Sequence, residues 1–265
     1  MVQWAFMADQ SAPRDLVAGL VRELRRRGVD YADVRYEHLL HESLVAEGGR
    51  VSSISLFESA GIGVRVLRRG SWGFAATPHL TRAALARTAA QALALARAAA
   101  AVNRSPRPLA PVAPVRARHV SRCAVDPFDV PLAQKLDYLL WANTTLLGPD
   151  AVQRATTHMD FYKRRKLFGS TEGALIDQRL IESGAGLEVV VQRGDEVQLR
   201  SYPNSHHGAL AQAGFEYVKQ LDLVGGAATA REEALQLLRA KAPRAGETTV
   251  ILDPSQVVMQ LHESC

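Results

Sequence analysis

Between Ala12 and Arg27 the apolar residues Leu16, Val17, Leu20, Val21 and Leu24 recur at helical spacing, and Gly28 stops the run. Alternation then takes over. Ala32 to Leu40 and His41 to Glu47 read as strands, with Gly48-Gly49 as a two-residue hairpin turn. Arg50 to Phe57, Ala60 to Leu67 and Ser71 to Thr77 extend this meander. Gly61 and Gly63 lack the third glycine and the following helix of a nucleotide loop, so they predict close backbone packing. Leu80 to Val102 is Ala-rich and predicts a helix from intrinsic propensity alone.

Asn103 to Arg122 breaks the pattern. It carries Pro106, Pro108, Pro111 and Pro114, five Arg and no acid, which predicts an extended surface linker sensitive to proteases. Pro131 to Leu147 predicts a second amphipathic helix that buries Leu132, Leu136, Leu139 and Leu140. A second meander follows in Ala151 to Tyr162, Lys163 to Ser170, Ala174 to Arg193 and Glu196 to Tyr202, with Gly194-Asp195 as a turn. Thr229 and Glu232 read as the capping box of a helix ending at Ala240.

The order is helix, meander, helix, followed by helix, meander, helix. Consecutive strands with helices grouped outside them predict an α+β fold, two helix-flanked and largely antiparallel meanders. The sequential division is 1–102 and 123–246 as two α+β subdomains, 103–122 as the linker, and 247–265 as the first strand and helix of a further domain.

Composition narrows the function. At 265 residues and 47% hydrophobic, the chain can bury a sizeable core. The net charge of +5 sits in short clusters, Arg25-Arg26-Arg27, Arg68-Arg69 and Arg164-Arg165-Lys166. No aromatics alternate with them, so they read as solvated faces and nucleic acid is not the expected partner. Two cysteines, Cys123 and Cys265, make no disulfide framework, and no leader or membrane-spanning run is evident, so a cytoplasmic setting is expected.

The chemistry gathers in Thr249 to Cys265. Thr249 to Leu252 predicts a short buried strand. Asp253-Pro254 predicts a helix start, with Gln256 at the third position and Val257, Val258 and Leu261 as the apolar stripe. His262-Glu263 follows. A helical His-Glu pair is the core of many metallopeptidase sites, the His holding the metal and the Glu taking a proton from its water. A second pair, His41-Glu42, lies in a predicted strand, so the dipeptide alone reads as a helix-surface histidine beside a solvated glutamate rather than as a metal site. His206-His207 falls in a polar loop and is expected at the surface.

The stretch VILDPSQVVMQLHES resembles the opening of the catalytic domain of the TldD/PmbA family of metallopeptidases. Ala32 to Arg35, Gly61 to Val66, Gly70 to Ala75 and Gly169 to Gly173 fit the same family in the same order. The resemblance implies a cytoplasmic peptidase of unfolded or extended peptides, working as a homo- or hetero-dimer with a related subunit. It implies one divalent metal, expected to be zinc, with His262 as the first ligand of a His-Glu-x-x-x-His motif and Glu263 as the catalytic general base. The second His would fall two residues past Cys265, and Cys265 itself holds an x position. The expectation is therefore an N-terminal portion cut inside its motif and inactive by itself.

Ligands five residues apart lie about 140° apart on a regular helix, so that motif needs a π-bulge. Without the second His, Pro254 to Leu261 is expected as ordinary helix and His262 to Cys265 as a frayed end. Two rival readings remain. One is a non-catalytic dimerisation or substrate-guiding module. The other is nucleic-acid association, in keeping with the family's older label as a modulator of DNA gyrase.

Overall fold

A computed structural model describes residues 12–107, 109–110, 112–242 and 244–264; Pro108, Pro111, Pro243 and Cys265 lie outside them. Helix α1, Ala12–Arg26, buries Val17, Leu20 and Leu24, with Leu16 and Val21 at the margin of the same stripe. Strands β1, Tyr31–Glu47, and β2, Arg50–Arg68, follow, then β3, Ser71–Thr77. Gly48 and Gly49 at φ +58° and +79° make the expected β1–β2 turn, a pair of left-handed positions that glycine adopts without steric cost.

The remaining elements are α2 (Arg82–Val102), β4 (Arg116–Val120), α3 (Leu132–Leu146), β5 (Val152–Ser170) and β6 (Leu175–Arg193). Then come β7 (Glu196–Tyr202), β8 (Ala209–Ala211), α4 (Phe215–Gln220), α5 (Leu223–Leu237) and α6 (Pro254–Ser264). The strands form one sheet in the order β3-β2-β1-β5-β6-β4, with β7 and β8 also on β6. The pairings of β3 with β2 and of β7 and β8 with β6 are antiparallel, and β4 with β6 is parallel. The architecture is thus the expected α+β type.

Several expectations change. The strands are fewer and longer than the alternation suggests, 17 residues for β1 and 19 each for β2, β5 and β6. The breaks expected at 40/41 and 162/163 fall where no Gly or Pro interrupts the backbone, so pairing runs through. Part of the expected linker is strand β4, every residue of it exposed, hydrogen-bonded to β6 at the sheet's edge. Thr249 to Leu252 forms no strand. Val250 and Ile251 are exposed, because this segment pairs with no strand among the described residues. The Thr229-Glu232 capping box is not a helix start. Helix α5 begins six residues earlier, capped by Asp222, whose carboxylate accepts from the Gly225 N–H at 3.2 Å. Gly226 is what lets that helix close on β7, since a Cβ there would meet the Tyr202 ring at 2.3 Å.

The chain forms two compact units, interleaved in sequence rather than divided at 102, 122 and 246. One comprises residues up to Leu40, Phe57–Ser121 and Lys163–Leu180. Its core joins Val17, Leu20 and Leu24 of α1 to Val34, Ile62, Val64 and Val66 of the sheet and Leu85, Ala89, Ala92 and Ala96 of α2. Gly73 brings β3 against α2, where a Cβ would lie 2.1 Å from the Ala92 carbonyl oxygen. Gly63 likewise sits under the Phe74 ring, the close packing that its sequence position predicts. Asp33, fully buried, accepts from Arg65 Nη2 at 2.7 Å and from Arg35 Nε at 3.0 Å.

The other unit comprises His41–Leu56, Arg122–Tyr162 and the residues from Ile181 onward. Leu44, Ala46, Met159, Phe161, Leu187 and Val189 pack there against Leu139 and Leu146 of α3 and Leu223, Ala227 and Ala230 of α5. The face α3 buries differs from the one its leucines mark. It is Lys135, Leu139, Ala142, Asn143 and Leu146, while Leu132 is exposed and Leu136 and Leu140 are only partly buried. Both polar members have partners. Asn143 donates to the Ala46 and Ala155 carbonyls at 3.1 and 3.0 Å and accepts from the Gly49 N–H at 2.7 Å, tying α3 to the hairpin turn.

Candidate metal-binding helix

Helix α6 starts as its sequence dictates. The Asp253 carboxylate accepts from the Ser255 N–H at 2.8 Å, and its carbonyl accepts from the Gln256 and Val257 N–H groups at 2.9 and 3.1 Å. Those hydrogen bonds, from the Ser255 amide first and then its hydroxyl, hold the Asp253 carboxyl below the usual aspartate range. Pro254, which has no N–H to leave unpaired, takes the first helical position.

The base of α6 is attached to the loop between β7 and β8. His206 Nε2 donates to the Ser255 carbonyl at 2.9 Å, which assigns the proton to that nitrogen. Gln256 Nε2 donates to Ser205 Oγ at 2.7 Å. Beyond this attachment the helix is uncovered. None of its residues is buried; Val257 is partly covered, and Val258, Met259 and Leu261 are exposed.

His262 and Glu263 lie on the last turn, both exposed, and successive side chains point about 100° apart around the axis. The helix continues through Ser264 without the fraying expected from His262 onward, since regular α-bonding needs neither the metal nor the bulge. Cys265 lies outside the described residues.

Among the described residues, no group of three or more His, Cys, Asp and Glu side chains could hold a metal ion. His262 therefore has the chemistry of a zinc ligand without the companions of a zinc site, which uses three protein ligands and an open position. The described residues alone do not fit a catalytic metal.

A second group of titratable residues lies on β1, β5 and β6, and the sequence reading did not assemble it. His41 Nε2 hydrogen-bonds Asp160 Oδ1 at 2.9 Å, and its ring stacks on Tyr162 with centroids 4.1 Å apart. His158 is partly buried against Gly208, and burial pushes its imidazole below the ordinary histidine range; His207 adds to that and Asp160 opposes it. His207 pairs through Nδ1 with Glu188, which also accepts from Arg154 Nη2 at 2.8 Å. The signal was present in β5, where His158, Asp160 and Tyr162 share one face at period two. His206 is exposed and His207 half-exposed, as their loop position predicts.

Comparison with known proteins follows the same line. Residues 32–96 match the family model described as PmbA/TldA metallopeptidase domain 1. A metalloprotease of Methanothermobacter thermautotrophicus is 25% identical over 250 residues, 94% of this chain and 52% of that protein. A crystal structure from Bacteroides thetaiotaomicron, described as a candidate modulator of DNA gyrase, shares the fold with a TM-score of 0.70 at 12% identity, over 91% of this chain and 53% of that one. TldE from Thermococcus kodakarensis does so with a TM-score of 0.58 at 14% identity, over 84% of this chain and 47% of that one. The chain spans about half the length of the proteins it matches. Among the described residues no helix is long and apolar enough to cross a membrane.

Proposed function

We propose that this chain, a member of the TldD/PmbA family, serves as the N-terminal half of a cytoplasmic metal-dependent peptidase acting on unfolded or extended peptides. The observation that carries this is α6, a firmly capped helix that carries His262 and Glu263, both exposed, on its uncovered last turn. Bare apolar residues on the same helix, Val258, Met259 and Leu261, suit a surface that another part of a peptidase covers. The likeness to a metalloprotease over nearly the whole chain supports the same reading.

In it, His262 is one ligand of a divalent metal, zinc by donor type, and Glu263 is the carboxylate that accepts and returns a proton. The other ligands come from residues outside those described, and the 265-residue chain by itself is inactive. Either a second copy or a related subunit completes a dimer.

The test is the reading frame beyond residue 265. A frame that continues with a histidine five residues after His262 supports the proposal. So does cleavage of an unstructured peptide by the longer product with zinc, abolished by His262→Ala and by Glu263→Gln. A stop codon at that point, or unchanged cleavage in both variants, overturns it.

A further inference from the structure

Strand β4 is the last strand of its sheet. Strand β6 lies on one side of it, and no strand among the described residues lies on the other. All of its residues are exposed, and Arg116 and Arg118 share one face at period two. Helix α1 sets Arg14, Arg22 and Arg25 beside them. These three lie within about 80° around the helix axis, next to the buried stripe of Val17, Leu20 and Leu24. One cavity brings Arg22, Arg25 and Arg116 over Ala18, Val21 and Leu175, and no described acidic residue lines it. A second cavity shares Arg116 and Leu175 and adds Arg14 and Arg118. Its one carboxylate, Asp177, is buried and already accepts from Arg165 Nη2 at 3.3 Å. All of these residues belong to one compact unit.

Among the described residues none of the five arginines has an acidic partner, and all five are exposed. Arg116 Nε donates to the Gly173 carbonyl at 3.2 Å, which leaves its Nη groups for a ligand. We propose that β4 is a docking strand for an extended acidic segment of another protein. The segment adds to the open edge and sets Asp or Glu side chains at alternate positions against Arg116, Arg118 and the arginines of α1. Charges on an edge strand normally keep it from pairing. Here they do so against apolar or basic strands, whereas opposite charges facing each other across two strands favour pairing. The spacing fits a polypeptide, because alternate side chains of an extended chain lie about 6.6–7 Å apart, as Arg116 and Arg118 do. Guanidinium forks match carboxylates with two hydrogen bonds each, and the strand edge supplies main-chain hydrogen bonds. A nucleic acid has no backbone amides to pair with that edge, and no aromatic side chain among the described residues lines either cavity for base stacking. The inference concerns binding alone and does not depend on the peptidase reading.

Fluorescence anisotropy with a labelled octapeptide of alternating Glu and Thr tests it on the 265-residue chain. This probe is expected to bind at least tenfold more tightly than its Gln-Thr counterpart and more tightly than an eight-residue oligothymidylate. Arg116→Gln with Arg118→Gln should weaken it at least fivefold. Arg50→Gln with Arg193→Gln, the same loss of charge at exposed positions elsewhere, should leave it unchanged. Two further probes, N-methylated at every Glu or at every Thr, read the strand pairing on the unaltered protein. In an extended chain alternate amides point to opposite edges, so one of the two should lose binding and the other keep it. Equal affinity for the Gln-Thr peptide, an equal loss in both arginine pairs, the same response to both methylated probes, or oligothymidylate binding as tight as the peptide's each overturns the proposal.

Discussion

His206 donates its Nε2 proton to the carbonyl of Ser255 across 2.9 Å, and this contact with the neighbouring Gln256–Ser205 bond fastens the base of α6. The rest of the helix has no buried residue to hold it. In His206→Ala the amides of residues 255–264 should exchange with solvent several-fold faster, with strands β5 and β6 unchanged. Hydrogen exchange read by mass spectrometry checks this, and unaltered exchange in α6 would show that the His206 contact does not hold it.

Lys135 is buried in the core that α3 and α5 share, where Nζ donates to Glu42 and, at 2.9 Å, to the Pro127 carbonyl, and lies 5.1 Å from the centre of the Phe161 ring. Removing one partner strands the other charge away from water. Glu42→Leu or Lys135→Met alone should cost about 3–5 kcal/mol, and the two together distinctly less than the sum. Urea unfolding of the three variants measures it; additive losses would mean the groups are not coupled.

Gly73 has no room for a side chain, because α2 lies directly on β3 with the Ala92 oxygen and the Ala96 nitrogen within 2.4 Å of any added Cβ. Backbone atoms cannot swing aside as a flexible side chain does. Gly73→Ala should therefore lower stability by about 1–3 kcal/mol or more, while Ala76→Gly, at an exposed position of the same strand, should cost about 0.5–1 kcal/mol. Equal small losses would contradict the close approach.

Local patterns were readable in the sequence where neighbours along the chain decide the outcome. The stripe of α1, the Gly48-Gly49 turn and the Asp253-Pro254 helix start all appear as expected. Distant partners hid the rest. The leucines of α3 suggested one buried face, but Lys135 and Asn143 turn it to another because Glu42 and the hairpin turn await them roughly ninety residues earlier. Thr229 and Glu232 suggested a later helix start, whereas Gly225 and Gly226 in the first turn of α5 make room for the Asp222 carboxylate and for the distant Tyr202 ring. The His262-Glu263 pair was legible as chemistry, yet adjacency on a helix says nothing about where further ligands come from.

The last expectation concerns acid. In the folded chain, burial holds His158 below the ordinary histidine range; His207 pushes the same way, and Asp160 pulls against both. An unfolded chain has no such environment and its His158 titrates near 6.5. Above that pH both states are neutral and the residue contributes no pH dependence. As pH falls through about 6.5, the unfolded state takes up the proton first, so folding stability declines until the folded imidazole also protonates. His158→Gln cannot charge and should show a shallower decline. Urea midpoints at pH 8 and pH 5.5 for both proteins give the comparison. The wild type should lose more stability between these pH values than the variant does. Parallel losses would mean that other groups, and not His158, set the acid sensitivity of this part of the sheet.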